Sequence, residues 1–496
     1  MSNADTTLAY VRTEDAPKLP APPSTVGVQG WLLKNLFSTP FYSALTIVLG
    51  AIMIWLIADI LSWALLSAVW VGTDREACLG ENTGACWPMV FQKFPQWIYG
   101  FYPIDQRWRV NIVYVTAIAA MIPMLMPSAP HKAWNALLLI MVFPLLTFIL
   151  LTGGNLAFSS STYRAMATLL LLGAILLPFA AYGLEEGVAR NKLGLGLALA
   201  ASSFWVISFL VPSPQIGIFG LRLDLFPIVT LLLAIGSSLF SIIVTGARGR
   251  STLISWAITV AAIFAVMLLL DIDFGLVEVE TTQWGGLLVT LVVAVTGIVA
   301  SLPIGILLAL GRRSKMPVIK LFSVVFIELW RGVPLITVLF MSSVMLPLFM
   351  PVGVNFDKLL RALIGIGLFS SAYMAEVVRS GLQAIPKGQY EGAMALGLSY
   401  WQSMAKIILP QALKISIPNI VGNFISLFKD TTLVSIIGLF DLLLIVRTSL
   451  KDANWSTPAT TPTGYFTLAA MFWVFCFAMS RYSMYTERRL NTGHKR

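Results

Sequence analysis

Three pairs of charged residues stand out because the chain around them is apolar. Glu328 and Arg331 in "IELWRGVPL" are three residues apart, as are Glu376 and Arg379 in "YMAEVVRSG", while Lys429 and Asp430 are neighbours in "SLFKDTTLVSIIG". A three-residue spacing puts two side chains on one helical face, where opposite charges neutralise each other. Adjacent helical residues point about 100° apart, so Lys429 and Asp430 leave a separated cation and anion. That arrangement suits a zwitterion, whose ammonium would meet Asp430 and whose carboxylate would meet Lys429. An ionisable group inside a membrane costs about 2.5 to 3.5 kcal/mol on insertion scales and usually faces a bundle interior or an aqueous path. Glu376, Lys429 and Asp430 are therefore candidate path residues, and Glu328, Arg331 and Arg379 read as structural charge partners. The competing readings are a structural role for Glu376 and an interfacial, snorkelling pair for Lys429 and Asp430.

Other chemistry is sparse. His131 and His494 are the two histidines, and neither has neighbours that would build a nucleophilic triad or a metal site. "GARGRST" lacks the spacing and the lysine of a phosphate-cradling loop, so this chain has no P-loop for ATP. Cys78 and Cys86 lie close together in "ACLGENTGACW" and Cys476 lies in an apolar run. The first two either close a small disulfide in an oxidising compartment or remain thiols. Zinc is disfavoured because two thiols without a nearby histidine cannot complete four-coordinate ligation.

The elements that must position these residues are membrane helices. The 496 residues are 57% hydrophobic and 11% charged, with a mean hydropathy of +0.83, far from the mix of soluble domains. Apolar runs recur at about 41–66, 110–128, 133–152, 165–182, 193–211, 225–245, 252–270, 286–310, 318–341, 359–382, 410–440 and 464–481. Each is long enough to cross roughly 30 Å of hydrocarbon, which predicts an all-α polytopic protein with about twelve transmembrane helices.

With both termini cytoplasmic, most of the 33 lysines and arginines fall inside, as the positive-inside rule asks. The acidic stretch "DIDFGLVEVETTQ" then falls outside, as does the loop 71–109. The net charge of +10 is accounted for by inward-facing basic residues and calls for no nucleic acid. Residues 1–40 are polar and proline-rich, which predicts a disordered cytoplasmic segment followed by an uncleaved first span. The front spans, 41–270, carry few charges, whereas 281–490 is dense in embedded polar residues. No repeat relates one half to the other, which weighs against many secondary-transporter architectures.

One stretch does not read as a span. In "QYEGAMALGLSYWQSMAKIILPQ", Gly392, Ala393 and Ala395 let another surface approach the backbone, and Gly397 can take positive φ and end a helix. Ser399 can cap a second helix from Tyr400, and Pro410 breaks it or starts the next span. The expected product is a short helix, a turn and a second helix over about 386–409, presenting Glu391, Trp401 and Met404 to water or to a partner's groove.

These residues closely resemble the EAA signature of permease subunits of ATP-binding cassette (ABC) importers. Glu391, Gly392, Ala393, Gly397, Ile407, Leu409 and Pro410 take the signature's places, with Gly392 standing where alanine is usual. "RGVPLITVLF", "SAYMAEVVRSGLQAIPKGQYEGA" and "FKDTTLVSIIGLFDLL" are similar to the polar amino acid permease group. "GACW", "YGFYP", "RWRV", "WGGLLVTL", "SLPIGILLALGRRS" and "FCFAMSRYSMYTERRL" resemble, more narrowly, the M permease subunit of general L-amino acid import systems. Residues from about 153 to 270 depart from that pattern.

The resemblance implies a type I importer permease core over 281–490 in the bacterial inner membrane, with 386–409 as the coupling helix. It also implies a second permease subunit, a cytoplasmic ATPase dimer that holds ATP and Mg, a periplasmic amino acid-binding protein and an L-amino acid substrate. The chain itself would bind no cofactor and would not be an enzyme. An ion-coupled secondary transporter of amino acids is the rival reading, and it predicts no dependence on a separate ATPase.

Overall fold

The computed structural model describes residues 27–126, 129–154, 191–211, 213–218, 221–245, 272–349 and 357–490, with a few positions between 167 and 172 and between 262 and 270. Expectations for the N-terminal segment, for the spans at 165–182 and 252–270, for "GARGRS" and for His494 lie largely or wholly outside these residues. In chain order the main elements are α1 (Gly27–Asn35), α2 (Pro40–Leu61), α3 (Trp87–Tyr99), α4 (Arg107–Leu125) and α5 (Lys132–Thr152). Next come α6 (Lys192–Leu210), the strands β1 (Gln215–Ile218) and β2 (Leu221–Asp224), and α7 (Leu225–Thr245). The later elements among the described residues are helices: α8 (Leu287–Arg312), α9 (Pro317–Gly332), α10 (Leu335–Phe340), α11 (Lys358–Gln383), α12 (Lys387–Ala395), α13 (Tyr400–Ser403), α14 (Leu409–Asp430), α15 (Leu442–Ser449) and α16 (Thr460–Leu490).

Among the described residues seven helices are long and apolar enough to cross a membrane, and a bent pair makes an eighth. α6 and α7 are shorter apolar helices at two further expected spans. They pack on each other through small residues, with the Ser237 hydroxyl donating to Gly194 O at 2.6 Å and Asn191 Nδ2 donating to Ser241 Oγ at 3.0 Å. Small polar contacts of this kind hold membrane helices together where lipid removes the hydrophobic drive. The antiparallel hairpin β1–β2 joins them and is the one sheet among the described residues.

The expected span at 318–341 is not one straight helix. α9 and the helical run Leu335–Phe349 are bent by 105° at a short break. Pro334 has no N–H to give and pushes Val333 to φ −111°, ψ 134°, which is extended backbone.

The chain forms two compact units. One comprises residues up to Gln92 together with Leu450–Phe466. In it a disulfide joins Cys78 to Cys86, the backbone N–H of Cys86 donates to Thr463 Oγ1 at 2.9 Å, and Trp87 Nε1 donates to Ala64 O at 2.8 Å. Trp455 Nε1 donates to Gln92, and Trp63 and Trp87 both meet the ring of Phe466 edge-on.

The other unit comprises Lys93–Ser449 with Thr467 onward. α8 lies along α11, and α11 along α14. The close approaches fall at glycine: a Cβ on Gly305 would meet Met374 at 2.8 Å, and one on Gly381 would meet the Ser416 hydroxyl at 2.1 Å. One apolar cluster gathers Tyr102, Val110 and Leu151 with Leu288, Leu335, Ile366 and Leu427. Helices α4 and α5, ahead of the boundary read near 280, thus share a core with those behind it.

Candidate functional site

The polar stretch forms the short helix, turn and second helix that its residues predict. α12 ends at Leu396, Gly397 takes φ +70°, and the Ser399 side chain accepts from the N–H of Gln402 while Gln402 Oε1 accepts from the N–H of Ser399. This reciprocal capping box satisfies two backbone donors that the helix start would otherwise leave open. Glu391 and Gly392 are exposed and Ala393 is buried. A Cβ at Gly392 would meet nothing within 4 Å, so the usual alanine fits there.

Met394, Leu396, Tyr400 and Trp401 project large apolar surfaces, each at least half exposed. Met404, expected to face outward, is instead buried with Ile408, Ala412 and Leu382, and Ile407 and Leu409 pack against that group. The reason is the course of the backbone: Pro410 does not break the chain. A π-helical turn, Met404–Ile408, absorbs its missing N–H, and helix continues from Tyr400 through α14 to Asp430.

The charged residues sort into two places. Glu376 accepts from Arg312 Nη1 at 2.8 Å and from Arg379 Nη2 at 2.7 Å, with Arg331 Nη1 at 3.7 Å. Arg312 Nη1 also reaches Glu328 at 2.9 Å. The Glu376–Arg379 pair therefore forms as its spacing predicts. The Glu328–Arg331 pair does not: Glu328 turns to Arg312 of α8 and Arg331 to Glu376 of α11, because tertiary partners lie nearer than the neighbour on α9. The only signal for Arg312 in sequence is local: "GRRS" marks a helix end where a cation is favoured.

Asp430 goes elsewhere. It lines a cavity of about 230 Å³ between α8, α11 and α14, together with Ser301, Ser370, Tyr373, Asn423 and Ser426, against walls of Phe369, Met374, Phe424 and Leu427. Among the described residues its carboxylate makes no hydrogen bond or ion pair, and Ser370 Oγ is buried without a partner. A carboxylate on the wall without a partner gains from a hydrogen-bond donor, so such a cavity favours a ligand that supplies one to Asp430. Lys429 is exposed and does not line it. Glu376 does not line it either, but stands on α11 one turn beyond Tyr373. The serines and Asn423 carried no sequence signal, since a lone hydroxyl or amide in an apolar helix reads like any other.

A family described as "Binding-protein-dependent transport system inner membrane component" matches residues 301–492. The "Inner membrane amino-acid ABC transporter permease protein YhdY" of Escherichia coli (strain K12) is 39% identical over 477 residues, 96% of this chain and 97% of its own. The chain belongs to the amino-acid ABC transporter permeases. This permease is also 40% identical over 497 residues to the "Glutamate/glutamine/aspartate/asparagine transport system permease protein BztC" of Rhodobacter capsulatus, covering 98% of this chain and 99% of that one. The "Probable glutamine ABC transporter permease protein GlnP" of Bacillus subtilis is 36% identical over 210 residues, 42% of the permease and 91% of its own length. The ion-coupled reading is not favoured by these relatives.

Proposed function

We propose that this permease carries L-amino acids across the bacterial inner membrane, delivered by a periplasmic binding protein and driven by ATPase subunits that dock on residues 386–409. The observation behind the reading is one continuous element. The turn that exposes Leu396, Tyr400 and Trp401 runs through the π-helical turn into α14, whose far end presents Asp430 to the cavity. A push at the turn reaches the cavity wall through hydrogen-bonded helix, which transmits force where a loose loop would absorb it.

In this reading α12 and the following turn sit in a groove of an ATPase subunit, on the EAA positions Glu391, Gly392, Ala393, Gly397, Ile407, Leu409 and Pro410. ATP and Mg are held by the ATPase dimer, and hydrolysis takes place there. A second permease subunit completes the path, and both termini of this chain face the cytoplasm. Asp430 takes the substrate ammonium. Asn423 and Ser426 supply donors for its carboxylate or polar side chain, a lining suited to polar amino acids such as those in BztC's name. Lys429, outside the cavity, acts on approach.

The test is co-purification from membranes in gentle detergent, comparing the wild type with a Glu391→Lys, Gly397→Pro double variant. An ABC-type ATPase subunit recovered with the wild type and lost from the variant is the expected result. No ATPase with either protein, together with intact uptake in cells depleted of such subunits, overturns the reading in favour of an ion-driven carrier.

A further inference from the structure

We propose that the ion cluster on Glu376 is a bolt on the cytoplasmic side of the cavity, and that the docking stretch operates it through Tyr390 and Arg313. The inference rests on the reading above.

The first observation is position. Tyr373 and Met374 line the cavity, and Glu376 follows on the same helix about 4.5 Å further along the axis. The Arg331 guanidinium lies over the Tyr373 ring, 5.6 Å from its centre, while its Nη1 faces Glu376. The cluster therefore touches the wall of the cavity directly. Its members come from three helices: Arg312 ends α8, Glu328 and Arg331 precede the bend after α9, and Glu376 and Arg379 belong to α11. With its bonds made, it ties these helices together at one end of the cavity.

The second observation is the kind of bond. The side chain of Glu376 is 15% exposed and its arginine partners 26% to 36%. Because none of these groups is sealed from water, water can solvate them as the bonds open, without the several kcal/mol per ion that a fully buried pair would cost on parting. A permanent staple would be buried and apolar; a bolt that must open in every cycle is better made of bonds like these.

The third observation is the handle. Arg313, next to Arg312 at the end of α8, donates from Nη1 to the Tyr390 hydroxyl at 2.9 Å and to Leu382 O at 3.3 Å. Its guanidinium also lies over the Tyr390 ring, 5.3 Å from the centre. The Tyr390 hydroxyl in turn donates to Leu382 O at 3.2 Å. Tyr390 sits in α12, immediately before Glu391. When a docked ATPase displaces α12, Tyr390 moves the last turn of α8, and the residue beside its contact is the one that holds both Glu376 and Glu328. These contacts form a contiguous physical route from α12 to the cluster.

The experiment uses the complete complex of permease, ATPase and binding protein in liposomes, with wild type, Tyr390→Phe, Glu376→Gln and the double variant. Each single change is expected to lower uptake about fivefold or more while the complex stays assembled and still hydrolyses ATP. Because both residues serve one linkage, the double variant should fall no further than the worse single one. Multiplicative losses in the double variant overturn the linkage.

The bolt itself is read from a reporter, Ser426→Cys in a Cys476→Ser background. A membrane-impermeant thiol reagent applied from the cytoplasmic side without nucleotide should label it about fivefold or more faster when Glu376 is Gln. An unchanged labelling rate removes the bolt. Wild-type complex without ATP-driven uptake would instead overturn the proposed function and is thereby distinguished from failure of this inference.

Discussion

Gly286 and Trp97 are packed backbone to backbone: a Cβ on Gly286 would stand 2.1 Å from the Trp97 carbonyl oxygen. Gly286 also sits at φ +63°, where a side chain is strained, and its N–H donates to Phe440 O at 2.8 Å. Nearby, Trp97 Nε1 donates to Ser449 Oγ at 2.9 Å and the N–H of Leu442 donates to Thr290 Oγ1 at 3.0 Å. Three segments distant in sequence are thus interlocked around one glycine. Gly286→Ala is expected to destabilise the protein by about 2 kcal/mol or more, through strain and overlap together. Thermal unfolding in detergent should show a clear fall in apparent Tm, with Gly50→Ala, whose added Cβ meets nothing, showing none.

The same junction holds a fully buried carboxyl. Asp441 accepts from the N–H of Leu443 at 3.0 Å and of Leu444 at 3.2 Å, capping α15. Burial nevertheless outweighs these bonds and lifts its pKa from 3.8 to about 7. In the folded protein the proton is therefore held more tightly than in the unfolded chain. This contribution to stability is fully present below pH 4, and it declines as pH rises and is gone above about 7. The expected result is a difference between wild type and Asp441→Asn in apparent Tm that changes across that window and is flat above it. A difference that is constant from pH 4 to 8 would contradict the assignment.

Much of this architecture could be read from sequence because single residues there have few conformational choices. Gly397, Ser399 and Gln402 carry a helix stop and a capping box in their own chemistry, and the turn formed where they placed it. Glu376 and Arg379 were readable because their partnership lies within one helix. Arg312 was not, since nothing local says that the end of α8 will meet α9 and α11. Met404 misled for the same reason: its outward position assumed that Pro410 ends a helix, whereas a π-helical turn carries the helix past it and rotates Met404 inward. Local signals fixed caps and spans; the cavity needs three helices at once, and no residue in it announces the other two.

The loop closed by Cys78 and Cys86 gives a third test. The disulfide closes a short ring, with a sequence separation of 8, and chain entropy predicts roughly 2 to 3 kcal/mol of stabilisation. Its effect should be local, because the ring is anchored through Cys86 N–H to Thr463 and through Trp87 to Ala64. Replacing both cysteines by serine is expected to speed proteolytic cleavage between 71 and 86 severalfold. Cleavage at an unchanged rate would mean that the anchoring hydrogen bonds hold the loop without the covalent link.

Asp430 provides the most direct test of the cavity. Asp430 lines that space, and its carboxylate makes no hydrogen bond or ion pair among the described residues. A hydrogen bond to a charged group is worth about 1.5 to 3 kcal/mol, which corresponds to roughly a tenfold to hundredfold change in affinity. Asp430→Asn keeps the shape and removes the charge, so uptake at low substrate concentration should fall by that factor and recover in part as concentration rises. Lys429→Gln, which alters an exposed neighbour, should cost much less. Equal losses from both changes would point to the local charge of the helix end and not to a carboxylate in the path. Full activity in Asp430→Asn, with ATPase still co-purifying, would remove the cavity from the transport route altogether.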